Sequence, residues 1–387
     1  MPQSELNFVS GLPHITAESG ERAAVLSGHI RLARNFRRFP FPGRAGADEL
    51  EAVTEAGVSL QRDLEEALGE KMHCLWIEKL TPVERDMLME QNLITPILCQ
   101  NPRHRAALIS ADRKVSVMIN EDDHLRIQVA DSGFELDTPL KTANMIDDLA
   151  ESRFDLAFDA KMGYLTACPT NLGTGLRASV LLHLPALAFT QGVDNIINIT
   201  QQLGLSMRAV YVGGKQGQQY GNIFQVANQL TLGFSEEEII ANLKSAVGEI
   251  VSHENKARQV LKSYRGSKIE DMVWRAFGVL RYARLLGEGE ALDLFSKVRL
   301  GIDLGFIVGV RADFFGEAIL ACQECFLKQK TGRENMSSGE LEKMRGLTAR
   351  KLLHKYMKLK DEREEKDRES NVEPKTANET ANEGENK

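Results

Sequence analysis

Cys168-Pro169-Thr170-Asn171-Leu172-Gly173-Thr174-Gly175-Leu176-Arg177-Ala178-Ser179 is the stretch on which the reading of this chain turns. It predicts a cysteine closing a short apolar strand, Gly163 to Ala167, and then a loop of Gly, Thr and Asn. A helix over Leu176 to Leu184 is expected next, with Leu176, Val180, Leu181 and Leu184 turned inward. A loop of this composition offers backbone N–H groups to an anion, and a helix N-terminus adds partial positive charge. The same positive end would draw Cys168 toward the reactive thiolate.

Before this stretch, two segments alternate. Lys114 to Ile119 places Val115, Val117 and Ile119 on one face, and Leu125 to Val129 places Arg126 and Gln128 opposite Leu125, Ile127 and Val129. The polar run Asn120-Glu121-Asp122-Asp123-His124 between them reads as a hairpin loop. After it, Met207 to Val212 and Asn222 to Asn228 read as strands joined by a glycine-rich loop. Ser235-Glu236-Glu237-Glu238 is a capping box opening a helix over Ile239 to Val251. From Ala257 to about Lys360 the period is helical with almost no strand signal. Beyond Asp361 a single valine and no aromatic residue stand among Glu, Asn, Thr and Lys, too little apolar surface to offset chain entropy.

These shifts divide the 387 residues into an N-terminal extension (1–23), a mixed α+β domain (24–254), a helical domain (255–360) and a disordered acidic tail (361–387). The net charge is −7, of which the tail's 10 acidic and 5 basic residues supply −5. The near-neutral remainder argues against a dedicated nucleic-acid binder. No apolar run approaches the roughly 18 residues that span a bilayer, so no membrane role is expected. Met1 to Gly20 lacks a basic segment followed by an apolar one, so no signal peptide is expected. Five scattered cysteines fit a reducing cytoplasm. Cys322 and Cys325, with no second pair nearby, read as two small residues on one helix face.

The cysteine stretch resembles the signature of the phosphagen kinases, the ATP:guanidino phosphotransferases. Ser27-Gly28-His29-Ile30-Arg31-Leu32-Ala33-Arg34 resembles their nucleotide strand, Ser-Ser-Arg-x-Arg-x-x-Arg. Glu270-Asp271-Met272-Val273-Trp274 and Val298-Arg299-Leu300-Gly301-Ile302-Asp303-Leu304-Gly305 are similar to strings of the bacterial protein-arginine kinases (McsB type). The resemblance implies a largely antiparallel sheet flanked by helices, glutamine-synthetase-like, followed by an all-helical C-terminal domain. It implies ATP and Mg2+ as cofactors and protein substrates carrying exposed arginine. A Clp ATPase or protease, a small zinc-binding activator protein and a homodimer complete the implied partners.

Moving phosphate to a guanidinium calls for arginines to hold the triphosphate and carboxylates to orient and deprotonate the acceptor. By resemblance, Glu121, Asp122, Asp123 and Cys168 are the catalytic group. Nucleotide contacts fall on Ser27, His29, Arg31, Asn92 and Arg126, on Arg177, Ala178, Ser179, Val180 and Leu181, and on Arg208, Ala209, Val210, Tyr211, Val212 and Gly213; no protein metal site is expected.

The chain departs from the family pattern at several of these positions. His29 stands where the family has arginine, and Asn92 where Lys-His-Leu-Ile-Ser-Pro has histidine. The acidic loop, Asn-Glu-Glu-Asp-His-Leu-Arg in the family, carries Asp122 at its catalytic glutamate, one methylene shorter. The second catalytic glutamate matches Gly213, and no acid lies between Arg208 and Glu236. Arg345-Gly346-Leu347-Thr348-Ala349-Arg350 lacks the aspartate of the family's phosphoarginine motif, Arg-Asp-x-x-Arg-Ala, so that pocket is not expected. Two readings follow: a working protein-arginine kinase, or a kinase-like adaptor or regulator that binds nucleotide or arginine without efficient turnover.

Overall fold

A computed structural model describes residues 23–210, 220–308 and 314–356. Tyr211, Val212 and Gly213, the first 22 residues and the acidic tail lie outside the described residues. The chain opens with β1 (Val25–Arg34), α1 (Ala47–Val58), α2 (Gln61–Leu68), β2 (Met72–Trp76), α3 (Pro82–Glu90) and α4 (Pro96–Gln100). Next come β3 (Ala106–Ser110), β4 (Val115–Ile119), β5 (Leu125–Ser132), α5 (Asp137–Arg153), β6 (Phe158–Asp159), β7 (Gly163–Tyr164) and β8 (Leu176–His183). Then α6 (Pro185–Phe189), α7 (Val193–Gln202), β9 (Leu205–Ala209) and β10 (Ile223–Asn228) complete the mixed region. The remainder is helical: α8 (Glu236–Tyr282), α9 (Glu288–Asp303), α10 (Phe314–Ala321), α11 (Glu324–Thr331) and α12 (Ser338–Tyr356).

Eight strands form one sheet in the order β2-β3-β4-β5-β1-β8-β10-β9, antiparallel at every pairing. Alternation gives the sheet two unlike faces. Ile30 and Leu32 of β1, Leu125 and Ile127 of β5, and Leu176, Ala178, Val180 and Leu182 of β8 point into a core closed by α1, α2, α5, α7 and the first half of α8. The opposite face is covered in part. Near β2 to β4, α3 and α4 pack on Leu75, Ala107, Ile109 and Met118. Where β1 begins and β8 ends, the C-terminal helices pack on Leu26, Leu181 and Ile223.

The expected helix over Leu176 to Leu184 is strand β8. Leu176, Val180, Leu181 and Leu184 match helical spacing by coincidence. The alternating set Leu176, Ala178, Val180 and Leu182 is the one that is fully buried. The loop instead opens with a single 3-10 turn, Pro169–Asn171, N-capped by Cys168, and the dipole contribution expected from a helix at Leu176 lapses. The strand expected from Gly163 to Ala167 shortens to Gly163–Tyr164, and the one expected from Met207 to Val212 is Leu205–Ala209.

The capping box forms as expected: the Glu238 N–H donates to the Ser235 hydroxyl and the Ser235 N–H to the Glu238 carboxylate. The helix does not stop at Val251. It runs 47 residues with one non-helical position, Arg265. Leu243, Val247 and Ile250 join the sheet core, whereas Ile269, Val273, Phe277 and Leu280 join a second core with α9 to α12. Buried ions pin this junction. Arg258 pairs with Glu254 at 2.8 Å and Asp303 at 3.2 Å, and Arg299 pairs with Asp303 at 2.9 Å. The Glu254 carboxylate also accepts the backbone N–H groups of Ala186 and Leu187.

Candidate active site

Four arginines from four strands share the partly open face. Arg31 of β1 lies directly across from Arg177 of β8 and from Gln128 of β5. Arg126 stands two residues before Gln128, hence on the same face. Arg208 of β9 lies across from Gln225 of β10, itself opposite Leu181 of β8. Their charges feel one another. The Arg31 pKa is pushed down to about 9 by burial first, then by Arg126 and Arg177, with Arg208 adding and Glu121 opposing. Arg177 is lowered by burial and by Arg208 and Arg126. Like charges held this close call for an anion between them.

Glutamines hold two of these guanidiniums. Arg31 Nε donates to Gln128 Oε1 at 3.1 Å, and Gln128 Nε2 donates to the Asn92 carbonyl at 2.6 Å. Arg208 donates to Gln225 Oε1 through Nε and Nη2, and Gln225 Nε2 donates to the Ser179 hydroxyl at 3.0 Å. The exposed Asn92 thus reaches the cluster through its backbone, in a left-handed turn (φ 57°) after α3. Sequence reading placed Gln128 on the outward face without a role and missed Gln225; a polar residue at the outward phase of each strand was the available signal.

The acidic hairpin between β4 and β5 divides its labour. Glu121 is buried and accepts from Arg126 Nη1 at 3.0 Å. Asp123 is buried and accepts from Asn35 Nδ2 and from the Ala167 N–H, both at 2.6 Å. Its pKa is raised, by burial first. Asp122 is exposed and makes no side-chain hydrogen bond or ion pair with the described residues. Its carboxyl is raised by burial of part of its surface and by Glu121, against Arg126 and Arg105. Arg105, which sequence reading missed, therefore belongs to the same field. His124 anchors the hairpin from below. The Phe36 N–H donates to Nδ1 at 3.0 Å, so Nε2 carries the proton donated to the Pro40 carbonyl at 2.9 Å. Burial pushes its pKa down to about 4.

Cys168 is half-buried, with Sγ 3.0 Å from the Thr170 hydroxyl, and its electrostatic influence reaches Arg177. Its loop is clamped on both sides. The Tyr164 N–H donates to the Gly173 carbonyl at 2.8 Å, and the Thr231 hydroxyl lies 2.6 Å from the Leu172 carbonyl and 3.1 Å from that of Thr170. Gly175 (φ 68°) admits no side chain, because a Cβ would sit 2.5 Å from Arg34 Nη1. Arg34 points into the core, where Nε and Nη2 grip Asp147 at 2.8 and 2.6 Å.

Other expected nucleotide residues sit elsewhere. Ala178 and Val180 are fully buried in the sheet core, because alternation turns them away from Arg177. Leu181 and Val210 pack against the C-terminal helices, and Ala209 against the sheet core. Ser27 and His29 are on the arginine face but buried, the Ser27 hydroxyl 2.9 Å from His29 Nε2.

Residues 55–257 match the family model for the ATP:guanido phosphotransferase C-terminal catalytic domain, and residues 266–367 the model for the protein-arginine kinase McsB C-terminal domain. A protein-arginine kinase of Desulforamulus reducens is 41% identical over 323 residues, covering 83% of this chain and 89% of that one. One of Halothermothrix orenii is 41% identical over 325 residues, covering 84% and 91%. Among solved structures, lombricine kinase superposes with a TM-score of 0.52 at 23% identity, over 65% of this chain and 70% of that one. The substrate-free duplicated taurocyamine kinase of Schistosoma mansoni gives 0.55 at 20% identity, over 68% of this chain and 41% of that longer one. At such identities the structural likeness shows the fold, which is the antiparallel sheet and helical layer expected from the sequence.

Proposed function

This chain belongs to the protein-arginine kinases, within the ATP:guanido phosphotransferases, and from that membership we propose that it moves the γ-phosphoryl group of Mg-ATP onto arginine side chains of proteins. One observation supports this most: Arg31, Arg126, Arg177 and Arg208 share one face within electrostatic reach of one another, beside Cys168 and the acidic hairpin. They would neutralise the triphosphate in place. Mg2+, when bound, would help neutralise the charge on the transferring phosphates. No group of three His, Cys, Asp or Glu suited to a metal occurs among the described residues.

In the transfer, a guanidinium nitrogen forms a bond to the γ-phosphorus while the bond to the β–γ bridging oxygen breaks. ADP leaves with that electron pair, and the nitrogen's proton passes to the Asp122 carboxylate. Asp122 suits this role because its two hairpin neighbours are already engaged, Glu121 with Arg126 and Asp123 with Ala167 and Asn35. Cys168 would face the incoming guanidinium. A Clp ATPase or protease, a zinc-binding activator, a homodimer and a cytoplasmic setting are the partners and place that this membership suggests.

The second reading, a binding module with little turnover, draws on the absence of any acid between Arg208 and Glu236. Incubation with Mg-ATP and an unfolded arginine-rich protein, followed by mass spectrometry under conditions that preserve phosphoarginine, separates the two. Phosphoarginine that disappears in Arg177→Ala supports the kinase. ATP binding without phosphoarginine supports the module.

A further inference from the structure

Two apolar shoulders flank the Cys168 loop. One is the β6–β7 hairpin, with Phe158 and Met162; the other is the segment between β10 and α8, with Leu230, Leu232 and Phe234. All five side chains are between 45% and 57% exposed. The shoulders are bound to the loop itself. Tyr164 and Thr231 are the residues that clamp it, and they sit beside Met162 and between Leu230 and Leu232. The backbone is packed so tightly here that a Cβ on Gly163 would lie 2.5 Å from the Gly173 carbonyl, and one on Gly173 2.8 Å from the Leu232 Cα. Loop and shoulders therefore form one continuous surface, and the catalytic chemistry does not use its apolar part. Exposed apolar patches of this kind mark binding surfaces.

We propose that these shoulders receive apolar side chains next to the target arginine, so that the enzyme selects arginines embedded in apolar sequence. The inference rests on the function proposed above. An arginine still in a polypeptide brings its neighbours to the rim of whichever cleft takes its guanidinium. The loop that follows Cys168 is held by Tyr164, two residues beyond Met162, and by the segment of Leu232, whose Cα faces Gly173. Continuity with the thiol loop is what favours a substrate segment over a second copy of the chain as the occupant.

Two fluorescein-labelled peptides test this, each with one central arginine flanked on both sides either by Leu and Phe or by Ser and Thr. Phosphoarginine formation gives kcat and KM, and fluorescence anisotropy gives binding independently of turnover. The apolar peptide should show a KM and a Kd about tenfold below the polar one, the scale of a few buried methylenes. The double variant Met162→Ser/Leu232→Ser should remove that preference by weakening the apolar peptide alone, with the KM for ATP and the thermal midpoint unchanged. Met162→Gln and Leu232→Gln should each remove part of it. Equal treatment of the two peptides by the unaltered protein overturns the inference. So does a double variant that changes the oligomer size in sedimentation but leaves the peptide preference intact, since the shoulders would then join two copies. If neither peptide is phosphorylated while the anisotropy preference persists, the kinase reading fails and the apolar surface stands.

Discussion

Asp123 accepts the backbone N–H of Ala167, the residue immediately before Cys168, at 2.6 Å. The acidic hairpin and the thiol loop, 44 residues apart in sequence, are thereby fastened to each other, and Asn35 ties the same carboxylate to the end of β1. Both bonds fall on Asp123 Oδ1, which gives this carboxylate a positioning part at the joint between the two loops.

Asp123→Ala would leave the Ala167 N–H and the Asn35 amide without their acceptor. A loss of about 1–3 kcal/mol in urea unfolding is expected, with a fall in kcat. Asp123→Asn keeps an oxygen in place and should restore most of both. An asparagine variant that is stable but inactive would instead make Asp123 the proton acceptor.

Burial first, and then the neighbouring charges of Arg126 and Arg177, push the folded pKa of Arg31 down to about 9 from 12.5. A cation with a depressed folded pKa destabilises the fold wherever it is charged, and relief comes only as pH climbs through about 9. Arg31→Gln should thus raise the melting temperature of the free protein while weakening ATP binding about 10- to 100-fold. Saturating ATP, which stabilises by roughly 2.7 kcal/mol at 100 times its Kd, should reverse the order of the two melting curves. A variant less stable without ATP and unchanged in ATP binding would show that the guanidiniums do not repel.

Asp122 must be ionised to take a proton, so activity should fall on the acid side as pH drops through its raised pKa. Burial and Glu121 raise that value; Arg126 and Arg105 oppose them. Glu121→Gln removes the like charge and releases Arg126, and both changes move the acid limb of kcat to lower pH. Asp122→Asn should lower kcat by about 100-fold or more. The pair Asp122→Glu with Gly213→Glu should raise it. An acid limb indifferent to Glu121→Gln would place the titrating group elsewhere.

The four arginines were picked out by the motifs they stand in, whereas the face they share follows only from the strands, since Arg177 was expected to open a helix and lies in β8. Arg31, Arg126, Arg177 and Arg208 could be grouped from local motifs alone. The helix expected at Leu176 failed because one nine-residue stretch satisfied two periods, and only pairing with β1 and β10 decides between them. Roles that depend on distant partners were not legible. Arg34 stands within the nucleotide-strand motif without an assigned role, and Asp147, 113 positions away, draws it into the core. The link from Asp123 to Ala167 was likewise not legible, since it exists only in the folded chain.

Glu90, at the end of α3, accepts the Cys325 N–H at the start of α11, at 3.2 Å. This joins the sheet region to the C-terminal helices. Burial pushes the Glu90 pKa up to about 7; the Cys325 N–H and thiol pull it partly back, and Glu288 and Asp86 push it upward. A carboxyl with a raised folded pKa binds its proton more tightly in the folded state. Its contribution is thus complete below about pH 4.5 and is lost as pH rises through 7. Glu90→Gln mimics the protonated form, so it should stabilise the protein at pH 8 and leave it nearly unchanged at pH 5. The difference between the urea midpoints of variant and unaltered protein at these two pH values isolates this group from His124. That residue's depressed pKa makes stability rise with pH over a similar range. Equal losses for both proteins between pH 5 and 8 would show that Glu90 does not titrate at the junction. A flattened profile would also bear on the site, because Asn92, whose carbonyl steadies Gln128 and through it Arg31, follows Glu90 by two residues.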